Sequence, residues 1–179
     1  MKIKPEVFLN SKNNIVFKKI LITGLDESLI SYVKNFIIKN FRKRNYLVDV
    51  TNNYQNNSMG DLFSKNKTLF VLSDFPINKK STAPESDNHN ILVAAPNGKK
   101  TNFIKSKLAT NKEGLVVECY SLNRSSKEYT LKNYIEIYNL DVSNDVFWYV
   151  VENFDSNYVV FIKQLQMLAL FDKRIDLIS

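Results

Sequence analysis

Short apolar runs that alternate with helical patterns constrain the fold of this chain more than any other feature. The clearest run is TLFVL at residues 68–72, which is short, apolar and rich in β-forming side chains. Comparable runs occupy residues 15–23, 46–50, 90–95 and 115–119. Strands separated by helices in this order are typical of a mostly parallel sheet that is covered on both faces. The sequence therefore predicts an α/β domain over residues 1–120.

A helix is predicted directly after the first run. Asp26 can cap it, and Glu27 suits the positive end of its dipole. Apolar residues then recur at helical spacing, namely Leu29, Ile30, Val33, Phe36, Ile37 and Phe41. A second, shorter amphipathic helix is predicted over residues 101–108.

The last turns of the first predicted helix are basic and contain Lys39, Arg42, Lys43 and Arg44. Cations at this position complement the negative end of the helix dipole, and that explanation suffices for the cluster. The alternative is that the same four side chains form a weak nucleic-acid-binding patch.

The polar stretch at residues 77–90 contains several helix and strand breakers, so it is predicted to be a surface loop. It includes His89, the only histidine of the chain, with no second histidine or cysteine close by in sequence. We therefore expect a solvated loop residue at this position and no metal site.

The pattern changes near Tyr120, after which three helices and no strand are predicted. The helical patterns cover about residues 126–138, a segment that starts at Ser143 as its cap, and about residues 156–171. Such a segment is typical of a small helical bundle. The predicted division is an α/β domain at residues 1–120 and a helical domain at residues 121–179.

Composition limits the location and the partners of the protein. The net charge of +7 fits work near a polyanion, although a lysine- and asparagine-rich composition does not require one. The single cysteine, Cys119, ends an apolar run and is expected to be a buried thiol in a reducing compartment. Because no apolar run is long enough to cross a bilayer, the sequence predicts a cytoplasmic protein without a membrane partner.

The segment TGLDESL, residues 23–29, stands where a phosphate-binding loop would follow the first strand. Such a loop needs several glycines, a lysine and a serine or threonine that binds the metal. This segment has one glycine, no lysine and the two carboxylates Asp26 and Glu27, which would repel a polyphosphate. We therefore expect a degenerate nucleotide site, with no catalytic residue, cofactor or metal.

Five segments taken in order carry a family resemblance: ITGLDESLISYVKNFI, DLFSKNKTLFVLSDFP, NILVAAP, GLVVEC and FIKQLQMLALF. Together they resemble the delta subunit of the bacterial DNA polymerase III clamp loader. The resemblance implies an AAA+-like domain, related to the P-loop NTPases, with a degenerate nucleotide site and a three-helix lid. It also implies a replication protein that binds its partners and does not itself hydrolyse ATP.

In that family a Leu-Phe pair enters a hydrophobic pocket of the sliding clamp and helps to open the ring. The resemblance assigns this role to Leu62 and Phe63, with Met59 in support, whereas the alternative is that both side chains fold back onto the core. The implied partners are the sliding clamp (beta subunit), other clamp-loader subunits and, indirectly, DNA. The segment before the pair is shorter than in the family and contains Gly60, and the family's C-terminal collar domain would begin where this sequence ends. Without a collar, we expect poor assembly with other loader subunits.

Two other functions compete with this interpretation. One is a stand-alone basic α/β module that binds nucleic acid through the cluster at residues 39–44 together with Lys99, Lys100, Lys105 and Lys107. Its affinity would fall steeply with salt. The other is an active nucleotide hydrolase, which the composition of residues 23–29 disfavours.

Overall fold

The computed structural model describes residues 1–11, 17–51, 67–73, 89–171 and 174–175. The chain divides into two compact units, Met1–Cys119 and Tyr120–Ser179. The described residues of the first unit form six strands: β1 (Lys2–Ile3), β2 (Lys19–Gly24), β3 (Leu47–Val50), β4 (Thr68–Leu72), β5 (His89–Ala94) and β6 (Gly114–Cys119). Its helices are α1 (Pro5–Asn10), α2 (Glu27–Lys43) and α3 (Lys99–Thr110).

The six strands form one sheet in the order β1-β6-β2-β5-β4-β3, and every neighbouring pair is parallel. Consecutive residues Ile20, Leu21 and Ile22 of β2 are all fully buried, as expected for a strand covered on both faces. On one face Leu21 packs with Leu108 of α3. The predicted α/β class with a parallel, covered sheet is confirmed.

Helix α2 begins and ends close to the predicted bounds. The Asp26 carboxylate accepts a hydrogen bond from the Leu29 N–H at 3.0 Å, so the predicted cap is confirmed. The buried side of the helix consists of Leu29, Ile30, Val33, Ile37 and Phe41. Phe36 is half-buried and its ring packs edge-on against Phe8 of α1 at 6.0 Å.

The N-terminal elements β1 and α1 were not predicted. Strand β1 has only two residues, with Lys2 opposite Val116 and Ile3 opposite Val117 of β6. The Met1 amino group holds the chain start in place by donating to the Gly114 carbonyl at 2.9 Å and the Ala109 carbonyl at 3.2 Å. A pairing of this length leaves no periodicity in the sequence, so only the tertiary contacts identify it.

The prediction that His89 is a solvated loop residue is wrong. His89 is the first residue of β5, it lies opposite Thr68 of β4, and it is half-buried. Its ring packs edge-on against Phe70 with centroids 5.3 Å apart. The strand extends past the apolar run because pairing with β4 continues one residue beyond it. The predicted start of the first strand at residue 15 falls partly outside the described residues, and the described strand starts at Lys19.

The second unit contains the helices α4 (Arg124–Tyr138), α5 (Asn144–Asn153) and α6 (Tyr158–Phe171). The three predicted helices are confirmed, and so is the Ser143 cap, whose hydroxyl accepts from the Val146 N–H at 3.4 Å. The prediction of no strand in this unit is wrong, because β7 (Asp141–Val142) and β8 (Arg174–Ile175) pair in parallel. Two-residue strands again leave no pattern in the sequence. Among the described residues, no helix is both long and apolar enough to span a membrane.

Candidate functional site

The carboxyl ends of β2 and β5 adjoin at the centre of the sheet. After β2 the chain continues through α2 to β3, on the β5 side of β2, whereas after β5 it continues through α3 to β6, on the other side of β2. In open α/β sheets, ligands bind in the crevice where neighbouring strands lead in opposite directions. The turn between β2 and α2 is therefore the place to look for a site.

A tight turn closes this crevice with backbone hydrogen bonds. The N–H groups of Leu25 and Asp26 both donate to the Cys119 carbonyl at the end of β6, at 3.0 Å and 3.3 Å. The Asn97 N–H donates to the Gly24 carbonyl at 3.1 Å, and the Thr23 hydroxyl donates to the Asn97 side-chain oxygen at 3.0 Å. The ends of β2, β5 and β6 are thus joined to one another.

Gly24 makes the close approach of β6 possible. Its φ angle is 155°, and an ideal Cβ placed on it would overlap the carbonyl group of Cys119. Any side chain at this position would push the two strand ends apart.

Three backbone N–H groups at the turn and at the start of α2 have partners within the protein. A phosphate-binding loop holds its ligand with unpaired backbone N–H groups at the start of the helix. Here the N–H groups of Leu25 and Asp26 bind a carbonyl, and the Leu29 N–H binds the Asp26 carboxylate. The same carboxylate accepts from the Ser28 hydroxyl at 2.6 Å, so an internal anion occupies the helix N-terminus. Geometry and charge both disfavour a bound polyphosphate.

The charges that act on the Cys119 thiol are negative. Burial, together with the carboxylates of Asp26 and Glu6, raises the pKa of the Cys119 thiol to about 12. Glu6 is itself buried, with the Lys4 ammonium 4.0 Å from its carboxylate. A thiol held in this state is not a nucleophile at neutral pH. Within the part of the chain that the structure describes, no three His, Cys, Asp or Glu side chains come together as metal ligands.

Comparison with known proteins supplies fold-level relatives only. No family model matches the chain. No curated protein matches it. Among solved structures it is similar to the DNA clamp loader delta protein of Bacillus subtilis, with a TM-score of 0.53 and 13% identity over 89% of this chain and 56% of that one. The chain has an AAA+-like fold.

Two further similar structures have lower TM-scores. Domain III of the Thermotoga maritima replication initiation protein DnaA aligns at 0.45, with 14% identity over 96% of this chain and 85% of that one. The Thermotoga maritima RuvB Holliday junction branch migration motor aligns at 0.46, with 11% identity over 90% and 59%. The chain spans little more than half the length of the delta protein. A shared AAA+-like fold over this part does not show that the chain has the activity of the whole delta protein.

The residues predicted to bind the clamp, Leu62, Phe63 and Met59, lie outside the described residues of this AAA+-like fold. Their role stays a prediction. The prediction of a buried thiol at Cys119 is confirmed. The sequence did not predict that the Cys119 carbonyl and the Asn97 backbone and side-chain amide groups help to close the turn. No signal in the sequence reports such contacts, because they depend on which strands become neighbours.

The basic residues proposed to bind nucleic acid fall into two groups. Lys39, Arg42, Lys43 and Arg44 are exposed at the end of α2, beside the edge where the strands begin. Lys99 and Lys100 start α3 at the opposite edge. Two further lysines of α3 have local roles, since Lys105 forms an ion pair with Glu118 and the Lys107 ammonium lies 4.4 Å from the Phe103 ring centroid. The structure therefore does not bring the whole predicted set together.

Proposed function

We propose that this chain is a delta-like clamp-loader subunit, which binds a sliding clamp and helps to open it during DNA replication without hydrolysing ATP itself. The observation that carries the proposal is an AAA+-like fold whose phosphate-loop position is closed by the turn at Gly24, Leu25 and Asp26. Without a usable nucleotide site, a domain of this fold would act by binding other macromolecules and not by hydrolysing ATP. The order of the sequence motifs and the likeness to a delta protein support the same choice of partner.

The proposed anchor is the pair Leu62 and Phe63, assisted by Met59. In sequence, these residues fall between β3, which is one of the two edge strands of the sheet, and β4. Two neighbouring large apolar side chains can provide most of the affinity of an interface when they enter a pocket of the partner. Other loader subunits would complete the assembly, and DNA would be reached through the clamp.

The test is a binding measurement between the purified chain and the sliding clamp of the source organism, by surface plasmon resonance. The double variant Leu62→Ala with Phe63→Ala should weaken binding at least 100-fold, because loss of two anchor side chains typically costs about 2–4 kcal/mol each. The matched control is Leu25→Ala with Phe103→Ala, the same two side-chain types in the same unit. These are 76% and 53% exposed, and their replacement should leave affinity within about threefold of the parent.

Two results would overturn the proposal. One is a Leu62 and Phe63 double variant that retains its circular dichroism spectrum and binds the clamp as tightly as the parent. The other is measurable ATP turnover by the purified chain, because the closed turn leaves no place for the nucleotide at the end of β2.

A further inference from the structure

Positive charge is concentrated in the first unit of the chain. Residues 1–119 hold 19 of the 25 Lys and Arg residues and 10 of the 18 Asp and Glu residues, which gives this segment a net charge of +9. Residues 120–179 hold the other six cations and eight anions, a net charge of −2. The basic character of the whole protein therefore comes from the α/β unit.

Within that unit, the cations gather where the strands begin. Because the sheet is parallel, all its long strands start at one edge, and α2 ends at the same edge. We call this the amino edge and define its cations by their positions at strand starts and at the end of α2: Lys18, Lys19, Lys39, Arg42, Lys43, Arg44, Lys67 and Lys112. Among the described residues at these positions, Glu113 is the one carboxylate, and it pairs with Lys18 at 3.3 Å.

Contacts across the sheet make the amino edge one continuous surface. Tyr46, directly after α2, packs against Phe41 at 4.9 Å, and the Lys67 ammonium lies 5.9 Å from the Tyr46 ring. The Lys67 carbonyl accepts from the Leu47 N–H at 2.9 Å, which places the start of β4 beside the end of α2.

The same edge continues across the central strands. The Lys18 carbonyl accepts from the Ile91 N–H at 2.7 Å, and the Lys19 N–H donates to the Glu113 carbonyl at 3.2 Å, so β5, β2 and β6 begin side by side. From β3 to β6 there are four strand spacings, or about 19 Å. This length covers about five or six base-pair steps along the axis of a duplex.

The helix dipole does not account for this arrangement. It favours Arg42, Lys43 and Arg44 in or next to the last turn of α2. It gives no reason for Lys67 or Lys112, which precede strands. The opposite edge carries both signs of charge, with Asp26 and Glu27 at the start of α2 and Lys99 and Lys100 at the start of α3. The amino edge carries mainly cations, and several elements contribute them.

We propose that the amino edge binds the phosphate backbone of a nucleic acid, without reading its sequence. The cations are spread along a line and do not converge on a point, which suits a repeating polyanion better than a single nucleotide. A guanidinium group, such as that of Arg42 or Arg44, can donate two parallel hydrogen bonds to the oxygens of one phosphate. Nucleic-acid binding by the amino edge is independent of clamp binding, because none of the amino-edge residues belongs to the proposed anchor at residues 59–63.

The test is fluorescence anisotropy of the full chain with a labelled 20-nucleotide DNA strand and the corresponding duplex, at salt concentrations from 50 to 200 mM. The amino-edge variant is Arg42→Gln with Lys43→Gln and Arg44→Gln. Its matched control is Lys99→Gln with Lys100→Gln and Lys163→Gln, which removes the same charge from three exposed residues elsewhere. Circular dichroism and urea midpoints check that both variants are folded.

We expect the amino-edge variant to lose at least tenfold in affinity at 100 mM salt. The slope of log K against log salt should also fall by about two to three, because each lost duplex phosphate contact removes about 0.9. The control should lose less than threefold. The variant Leu62→Ala with Phe63→Ala should bind DNA as the parent does, which separates this proposal from clamp binding.

Three results would overturn the proposal. The first is no binding of either DNA by the parent chain at 50 mM salt. The second is an equal loss in the two triple variants, which would reflect net charge and no defined surface. The third is binding to anionic phosphatidylserine vesicles that depends on the amino edge while DNA binding does not, which would assign this surface to a membrane.

Discussion

Gly24 shows how one residue can determine whether a crevice is open or closed. The sequence indicated a single glycine where a phosphate loop needs several, and that deficit predicted a degenerate site. The structure adds the reason for the remaining glycine, which lets the Cys119 carbonyl approach the turn. Composition predicts that the loop lacks the glycines and the lysine of a phosphate site. It does not predict that the N–H groups of the loop bind the Cys119 carbonyl, because this contact depends on β6 being the neighbour of β2.

Replacement of Gly24 by alanine should therefore destabilise the protein strongly. The positive φ angle and the overlap with Cys119 should together lower the free energy of unfolding by at least about 3 kcal/mol. Gly98→Ala is the control, since the nearest atom to its Cβ would be the Thr101 hydroxyl oxygen at 4.0 Å. That change should cost about 1 kcal/mol or less. Urea denaturation measures both, and similar midpoints for the two variants would contradict the close-approach argument.

At the scale of single elements, local chemistry was the best guide. The caps at Asp26 and Ser143 were predicted because short polar side chains before an apolar periodic segment mark a helix start. The strands β1, β7 and β8 were missed, because two residues carry no periodicity. The polar neighbours of His89 predict a loop, whereas in the structure a strand starts at His89 because this residue pairs with β4.

Helix α2 offers a test of whether charge or geometry closes the nucleotide site. Asp26→Ser keeps a cap acceptor and removes the carboxylate, so the free energy of unfolding should change by less than about 1 kcal/mol. Asp26→Ala removes the acceptor as well and should cost about 1 kcal/mol. Neither variant should bind a fluorescent ATP analogue, because the N–H groups of residues 25 and 26 remain bonded to the Cys119 carbonyl. Binding gained by Asp26→Ser would show instead that the carboxylate alone excludes the nucleotide.

At the scale of the whole molecule, the fold class was predictable and the strand order was not. Alternating strands and helices predict a parallel sheet, but the neighbours of each strand are set by contacts between distant residues, such as Lys2 with Val116. The family resemblance provided the AAA+-like expectation that periodicity could not. The partner of Leu62 and Phe63 is proposed from that resemblance, because no spacing or composition rule identifies a sliding clamp.

The division of the chain gives a prediction at the same scale. All six strands of the main sheet and helices α1, α2 and α3 lie within Met1–Cys119, so this segment should fold by itself. A protein that ends at Cys119 should give an α/β circular dichroism spectrum and a cooperative urea transition. The full chain under the same conditions is the control. A gradual, non-cooperative transition would contradict the autonomy of this unit.

A sheet with all its strands aligned in one direction also has an electrical polarity. Six exposed cations lie at the amino edge, while Asp26, Glu27 and Glu6 stand at the far side together with Lys99 and Lys100. In the electric field of a long polyanion, the α/β unit would experience a torque that turns the amino edge toward the polyanion. The closed turn lies at the other edge of the same sheet, so within this unit it would point away from the polymer.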